Sequence, residues 1–226
     1  MKVGVLGTGD VGHALGNGFI ALGHEVKMGA RDAANEKAAA WAKAAGDKAS
    51  HGTFADAAAF GELIVLATLG AANEAAIEAA GIDNFDGKAV VDTTNPLDFS
   101  AGMPPKLYVG HTDSAGEQVQ RLLPKAHVVK AFNTVGSPHM FRPEFPDGPP
   151  DMFICRQRRR REGARRGFPF EARLGRGGHR RHRGLALSRA DVPDVGAARR
   201  AQRKLESRVQ AVAQVGGYCS HLRSTR

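Results

Sequence analysis

The sequence predicts an α/β fold, a doubly wound parallel sheet, and three observations predict it. The β-rich run Lys2–Leu6 leads directly into the glycine-rich Gly7-Thr8-Gly9-Asp10-Val11-Gly12. Short apolar runs of strand length then alternate with helix-forming stretches. One of those runs, Leu63–Ala67, is apolar throughout, as expected of a strand covered on both faces.

The elements follow in order. After the strand Lys2–Leu6, Val11–Leu22 carries apolar residues at helical spacing and Glu25–Met28 is a second short strand. Together they have the length a parallel crossover needs. Asn35–Ala45 is alanine-rich and predicts a helix, with Trp41 on its packed face and Lys37 and Lys43 elsewhere. Leu63–Ala67 is the next strand and Glu74–Ala80 the next helix. Strand Ala89–Val91, helix Glu117–Leu123, strand His127–Lys130 and a last strand, Met152–Cys155, complete the series. The alanine-rich composition between Ala33 and Ala80 favours helix rather than disorder.

Charge divides the chain. Residues 1–155 hold 12 Lys+Arg against 18 Asp+Glu, a net of −6, whereas residues 156–226 hold 20 against 5, a net of +15. The basic residues also change type, from nine Lys and three Arg to nineteen Arg and one Lys. The predicted organisation is therefore a Rossmann-type domain over 1–155 and an Arg-rich, mostly disordered tail over 156–226, with one helix across 197–213. The opening leaves no room for a secretory leader, and no apolar run approaches the roughly 18 residues of a membrane span, so a cytoplasmic protein is expected. Cys155 and Cys219 have no metal or disulfide spacing, and Cys155 reads as a buried strand residue.

The glycine motif carries the chemistry because it lies where a strand ends and a helix begins. Gly7 permits the tight turn, Gly9 lets the backbone approach a pyrophosphate, and Gly12 allows close packing of helix on strand, while the N–H groups opening the helix offer an anion site. Thr8, Asp10 and Val11 complete the loop. The choice of dinucleotide is made after the second strand, at Met28-Gly29-Ala30-Arg31-Asp32. No carboxylate holds the terminal strand position; Arg31 has the planar fork for a 2′-phosphate, and Lys37 adds a second positive charge. NADP is favoured, with Asp32 the one residue that argues for NAD.

Three more segments sit at expected C-terminal strand ends, where open parallel sheets bind ligands. They are Thr68-Leu69-Gly70, Thr93-Thr94-Asn95-Pro96 and Ala131-Phe132-Asn133-Thr134. Thr68, Leu69, Asn95, Pro96, Phe132 and Asn133 are the candidates there for lining a nicotinamide pocket. Ser114 and Glu117 have capping-box spacing, so His111, Asp113 and Ser114 do not read as a catalytic triad. His13, His51, His127 and His139 lack the spacing of metal ligands, and no metal site is expected.

The opening Met1-to-Gly12 segment, Ala30-Arg31, Asp92-Thr-Thr-Asn-Pro-Leu97 and Val129-Lys-Ala-Phe-Asn-Thr-Val-Gly136 resemble the NADPH-dependent coenzyme F420 reductase family, over residues 1–155. The resemblance implies hydride transfer between NADP and a deazaflavin, coenzyme F420, or a related flavin, in a homodimer. It implies the Gly7–Gly12 loop on the pyrophosphate, Arg31 near the 2′-phosphate, and the Asn95-Pro96 and Phe132-Asn133 segments near the nicotinamide. Ala30 departs from it, since many relatives carry Ser or Thr there. Direct hydride transfer between stacked rings requires placement and exclusion of water rather than an acid, base or metal, so no catalytic side chain is assigned.

The resemblance stops after Cys155, where relatives continue Gly-Asn-Asp and this chain has Arg156-Gln-Arg-Arg-Arg-Arg161. Suitable codons for Arg156-Gln-Arg-Arg, read from the second base, give Gly-Asn-Asp-Ala. The same offset over Arg176–Arg199 can give a stretch containing Leu-Glu-Pro and Leu-Met-Trp-Val, and over Lys204–Val215 one containing Trp-Asn-His-Ala-Phe-Lys-Leu-Leu, both features of the family's C-terminal region. The tail therefore reads as that region in a shifted frame, with reductase activity impaired. Two alternatives stand beside this reading. One is a non-catalytic NADP-binding module or redox sensor; the other is salt-dependent, non-specific nucleic-acid binding through Arg158–Arg161 and Arg176–Arg183. Only Phe168, Phe170 and Tyr218 are available in the tail for stacking on bases, so a specific nucleic-acid target is not expected.

Overall fold

The computed structural model describes residues 1–146 and 152–156, together with the backbone of 171–174. Its elements are β1 (Lys2–Leu6), α1 (Asp10–Ala21), β2 (Glu25–Ala30), α2 (Glu36–Ala45), β3 (Ala49–Thr53), α3 (Phe54–Phe60) and β4 (Leu63–Leu66). There follow α4 (Asn73–Ala80), β5 (Ala89–Asp92), the short strands β6 (Leu97–Asp98) and β7 (Lys106–Leu107), α5 (Ala115–Leu122), β8 (His127–Lys130), β9 (Phe153–Arg156) and β10 (Glu171–Leu174).

The main sheet runs β10-β9-β8-β5-β4-β1-β2-β3. Every pairing from β3 to β8 is parallel, so these six strands make the doubly wound order in which β1 is flanked by β2 on one side and β4 on the other. β9 joins the β8 edge antiparallel, and β10 pairs antiparallel with β9. The central strands β1, β4 and β5 are buried on both faces because each face carries its own apolar layer. Val3, Val5, Val26, Met28 and Val65 pack with Leu15 and Phe19 of α1 and Trp41 of α2. Leu6, Ile64, Leu66, Val90 and Val128 pack on the other face with α3, Ile77 of α4 and Val119 of α5. Trp41 is core, 6% exposed, and its indole N–H donates to Asn17 Oδ1 at 2.9 Å.

Several expectations are corrected. β3 and α3 were not foreseen. Ala49-Ser-His-Gly-Thr53 has weak apolar alternation and is an edge strand held by its ladder to β2, while α3 is started by a capping box between Thr53 and Asp56. β2 extends to Ala30, two residues beyond the expected Met28, which makes Arg31 the first residue past the strand. The last expected strand is present but antiparallel, and Cys155 on it is half-buried rather than buried. In the segment expected to be a disordered tail, Arg156 ends β9 and 171–174 form β10. The rest of that expectation, including the 197–213 helix and Cys219, lies outside the described residues. Ser114 does cap α5, accepting from Glu117 N–H at 3.2 Å, and Asp113 makes a two-pronged ion pair with Arg121. Among the described residues no helix is long and apolar enough to cross a membrane, and no cluster of His, Cys, Asp or Glu could hold a metal.

Candidate dinucleotide site

The Gly7–Gly12 loop sits at the C-terminal end of β1, between β2 and β4, where the chain winds to opposite sides of the sheet. Its three glycines meet different demands. Gly7 has φ +126°, and a Cβ there would fall 2.3 Å from the Ala67 carbonyl oxygen. A Cβ on Gly12 would fall 2.3 Å from the Gly7 carbonyl oxygen, so helix and turn fit only because that atom is missing. Around Gly9 there is open space, with nothing among the described residues within 4 Å of where a Cβ would stand. Gly9 is also the N-cap of α1, and no side chain caps the helix. The N–H groups opening α1 therefore have no side-chain acceptor among the described residues, and the space beside Gly9 has room for an anion. Thr8 is half-buried, Asp10 is exposed as the first helical residue, and Val11 faces the cleft described below.

At the β2 end, Arg31 is exposed and has no ion-pair partner among the described residues. Asp32 is occupied locally, since its Oδ1 accepts from Ala34 N–H at 2.9 Å and its carbonyl accepts from Asn35 N–H at 3.2 Å. Asn35 in turn caps α2, accepting from Ala38 N–H at 3.0 Å, and Lys37 is exposed in the first turn of that helix. Two exposed cations thus flank the β2 end, and the nearby carboxylate stabilises a turn. This arrangement suits a phosphate better than a ribose diol.

On the other side of the loop, a cleft of about 920 Å³ opens above β4 and β5. Val11, Thr68, Leu69, Thr94, Asn95 and Tyr108 are among its walls, with Gln118, Val119 and Arg121 of α5 opposite. Leu69 is 76% exposed and offers an apolar rim. Burial raises the Tyr108 phenol above its ordinary value, with the nearby Asp92 charge adding to the effect. Asn95 is held by Asn133, donating from Nδ2 to the Asn133 carbonyl at 2.8 Å and receiving from Asn133 Nδ2 at 3.4 Å. The Pro96 carbonyl accepts from Tyr108 N–H at 3.1 Å, tying the β6–β7 hairpin to the cleft.

Phe132 behaves differently from its expected place on the nicotinamide pocket. It is 2% exposed, belongs to the core packed against α1 and α2, and holds a left-handed backbone at φ +63° while donating its N–H to Met152 Sδ at 3.4 Å. Its ring is a foundation for the loop, leaving Asn133 to act at the cleft through Asn95. Sequence reasoning did not single out Asn73, Asp92 and Lys130, which with Thr94 of the expected Thr93–Pro96 segment make a polar row at the wall. Asp92 is 0% exposed, Thr94 4% and Asn73 5%, and Lys130 pairs with Asp92 at 2.9 Å. Asp92 and Lys130 close neighbouring strands in register, and an acidic residue ending an otherwise apolar strand was the signal that could have found them.

A family model described as NADP oxidoreductase, coenzyme F420-dependent, matches residues 2–96. The chain is 33% identical over 154 residues to the F420-dependent NADP reductase of Methanothermobacter marburgensis, covering 61% of this chain. It spans 65% of the length of that curated relative. Among solved structures, a candidate F420-dependent NADP-reductase from Arthrobacter sp. FB24 matches with a TM-score of 0.64 at 42% identity, covering 70% of this chain and 74% of the other. The hypothetical protein SMa0349 from Sinorhizobium meliloti matches with a TM-score of 0.51 at 26% identity, over 61% of this chain and 63% of its own. Joined to a glycine loop at the sheet's switch point and a cation-flanked β2 end, these likenesses show that the chain belongs to the F420-dependent NADP oxidoreductase family.

Proposed function

We propose that this chain is a cytoplasmic NADP-dependent oxidoreductase that transfers a hydride between NADP(H) and coenzyme F420 or a related flavin. The observation that carries the reading is the α1 N-terminus. Among the described residues it is uncapped, open beside Gly9, and followed across β2 by an Arg31 without an ion-pair partner rather than by a free carboxylate. Bound NADPH supplies the hydride; the chain's own residues bind and orient. The helix N–H groups and Gly9 take the pyrophosphate, Arg31 and Lys37 the 2′-phosphate, and Thr68, Leu69 and Asn95 border the nicotinamide. The exposed rim around Leu69 gives a second ring an apolar surface to approach, and the stacked ring would itself displace water. Fluorescence titration of the full chain tests the reading. NADPH is expected to bind at least tenfold more tightly than NADH, and equal affinities would refute the NADP assignment.

The Arg-rich segment after Cys155 is proposed to be the family's C-terminal region read in a shifted frame, with turnover and homodimer formation impaired by its loss. The support is the abrupt charge change and the single offset that serves three separate places in the tail. Neither a specific nucleic-acid target nor a membrane belongs to this reading. The nucleotide sequence around the Cys155 codon decides it: a one-base shift restoring Gly-Asn-Asp supports the proposal, and the absence of any such frame refutes it.

A further inference from the structure

The polar wall of the cleft contains a chain of hydrogen bonds whose direction is fixed at one end. Asp92 closes β5 fully buried. Its Oδ2 accepts from Lys130 Nζ at 2.9 Å, and its Oδ1 accepts from Thr94 N–H at 2.9 Å and from the Thr94 hydroxyl at 2.7 Å. Lys130 also donates to the Thr94 carbonyl. Gly116, in the first turn of α5, lies over the pair; a Cβ there would stand 3.8 Å from Lys130 Cδ and 3.9 Å from Asp92 Oδ2, leaving little room for a longer side chain.

A carboxylate paired with an ammonium only accepts hydrogen bonds, and the remaining directions follow from that. Thr94 commits its one hydroxyl proton to Asp92, so the Asn73 amide, 2.8 Å away, presents Nδ2 to Thr94 Oγ1. Asn73 then turns Oδ1 toward Thr68, whose hydroxyl donates to it at 2.7 Å. The Thr68 proton is spent inside the wall. Toward the cleft, this hydroxyl has only lone pairs to offer.

We propose that the Asp92–Lys130 pair sets the direction of the chain Thr68→Asn73→Thr94→Asp92 and so makes Thr68 an acceptor-only contact, selecting a ligand that brings an N–H to this wall. The inference rests on the reading of this cleft as the nicotinamide end, where the N–H belongs to the carboxamide. Thr68 is then a specificity-determining residue, and Asn73, Thr94, Asp92 and Lys130 are positioning residues that act through it.

The test compares three ligands by calorimetry on the full chain. They are NADP, its 3-acetylpyridine analogue, in which a methyl replaces the carboxamide nitrogen, and 2′-phospho-ADP-ribose, which has no nicotinamide. The wild-type chain is expected to prefer NADP over the analogue by about fivefold, the worth of one neutral hydrogen bond. Thr68→Val should bring that ratio close to one with the affinity for 2′-phospho-ADP-ribose unchanged, and Thr68→Ser should keep the preference. In Thr94→Val the link from the Asp92–Lys130 pair to the Asn73 amide is cut while the Thr94 N–H bond to Asp92 is kept. The Asn73 amide is then free to turn over, Thr68 is free to turn its proton to the cleft, and the ratio falls toward one. A preference that survives in Thr68→Val overturns the proposal, as does one that survives in full in folded Thr94→Val. If Thr94→Val does not fold, the two Thr68 variants decide. Wild-type binding of NADP without preference over the analogue overturns this inference alone; binding of none of the three ligands overturns the functional reading with it.

Discussion

Replacing Gly9 by alanine separates ligand binding from folding. The built Cβ meets nothing within 4 Å, and the backbone there, φ −88° and ψ −177°, is extended conformation that alanine adopts freely. The loss of chain entropy in the unfolded state favours the variant and the poorer helix cap disfavours it, each by under about 1 kcal/mol. Stability should therefore change by less than about 1 kcal/mol. For a ligand the same methyl occupies the space through which phosphate oxygens reach the α1 N–H groups. Losing two charge-assisted hydrogen bonds at about 1.5 kcal/mol each gives about 3 kcal/mol, or on the order of a hundredfold in Kd. Gly12→Ala is the opposite case, because its Cβ would lie 2.3 Å from a backbone oxygen and the protein itself must shift. A thermal melt and an NADPH titration on both variants measure the contrast. If Gly9→Ala binds NADPH within about threefold of wild type, the pyrophosphate does not lie on this loop and the site is wrongly placed.

Three other outcomes follow from single contacts. Arg31→Ala should weaken NADPH binding by about tenfold or more and leave NADH binding unchanged, measured by parallel titrations, since its loss removes a charge-assisted contact to the 2′-phosphate alone. His24 is held below its ordinary value by burial, then by the Met1 ammonium and Lys48. The unfolded chain therefore binds the extra proton first, and the stability associated with neutral His24 is present above pH about 6.5 and lost as pH falls through the folded value. Melting temperatures should drop more steeply from pH 6.5 to 5 in the wild type than in His24→Gln, and parallel slopes would exclude the effect. Thr53→Ala removes the cap of α3, whose Oγ1 accepts from Asp56 N–H at 3.1 Å, and should cost about 1 kcal/mol by urea denaturation with the slope unchanged.

Much of this architecture was legible because its signals are local. A strand, three glycines and a helix start are adjacent in sequence, and each glycine met a constraint that its neighbours impose. β3 and α3 escaped because Ser50, His51 and Gly52 carry little apolar pattern; the ladder to β2 holds the strand, and a partner strand is not visible in a five-residue window. Phe132 was misplaced because a position at a strand end specifies the edge of the sheet but not the direction of the ring. A left-handed backbone turns it into the core. The Asp92–Lys130 pair escaped for a related reason, as 38 residues separate its members and only the β5–β8 register joins them. Arg31 falls just past the end of β2, a place that chain order alone gives it.

The strand order also governs assembly during synthesis. β1 is made first and lies in the middle; β2 and β3 then extend one side, and β4, β5 and β8 the other. Each strand adds to an edge already in place, so the sheet grows outward as the chain leaves the ribosome. All residues proposed for the dinucleotide lie at or before Asn133, on the part of the chain made before the Arg-rich segment. A change confined to residues beyond β8 therefore leaves untouched the order in which the six parallel strands are laid down.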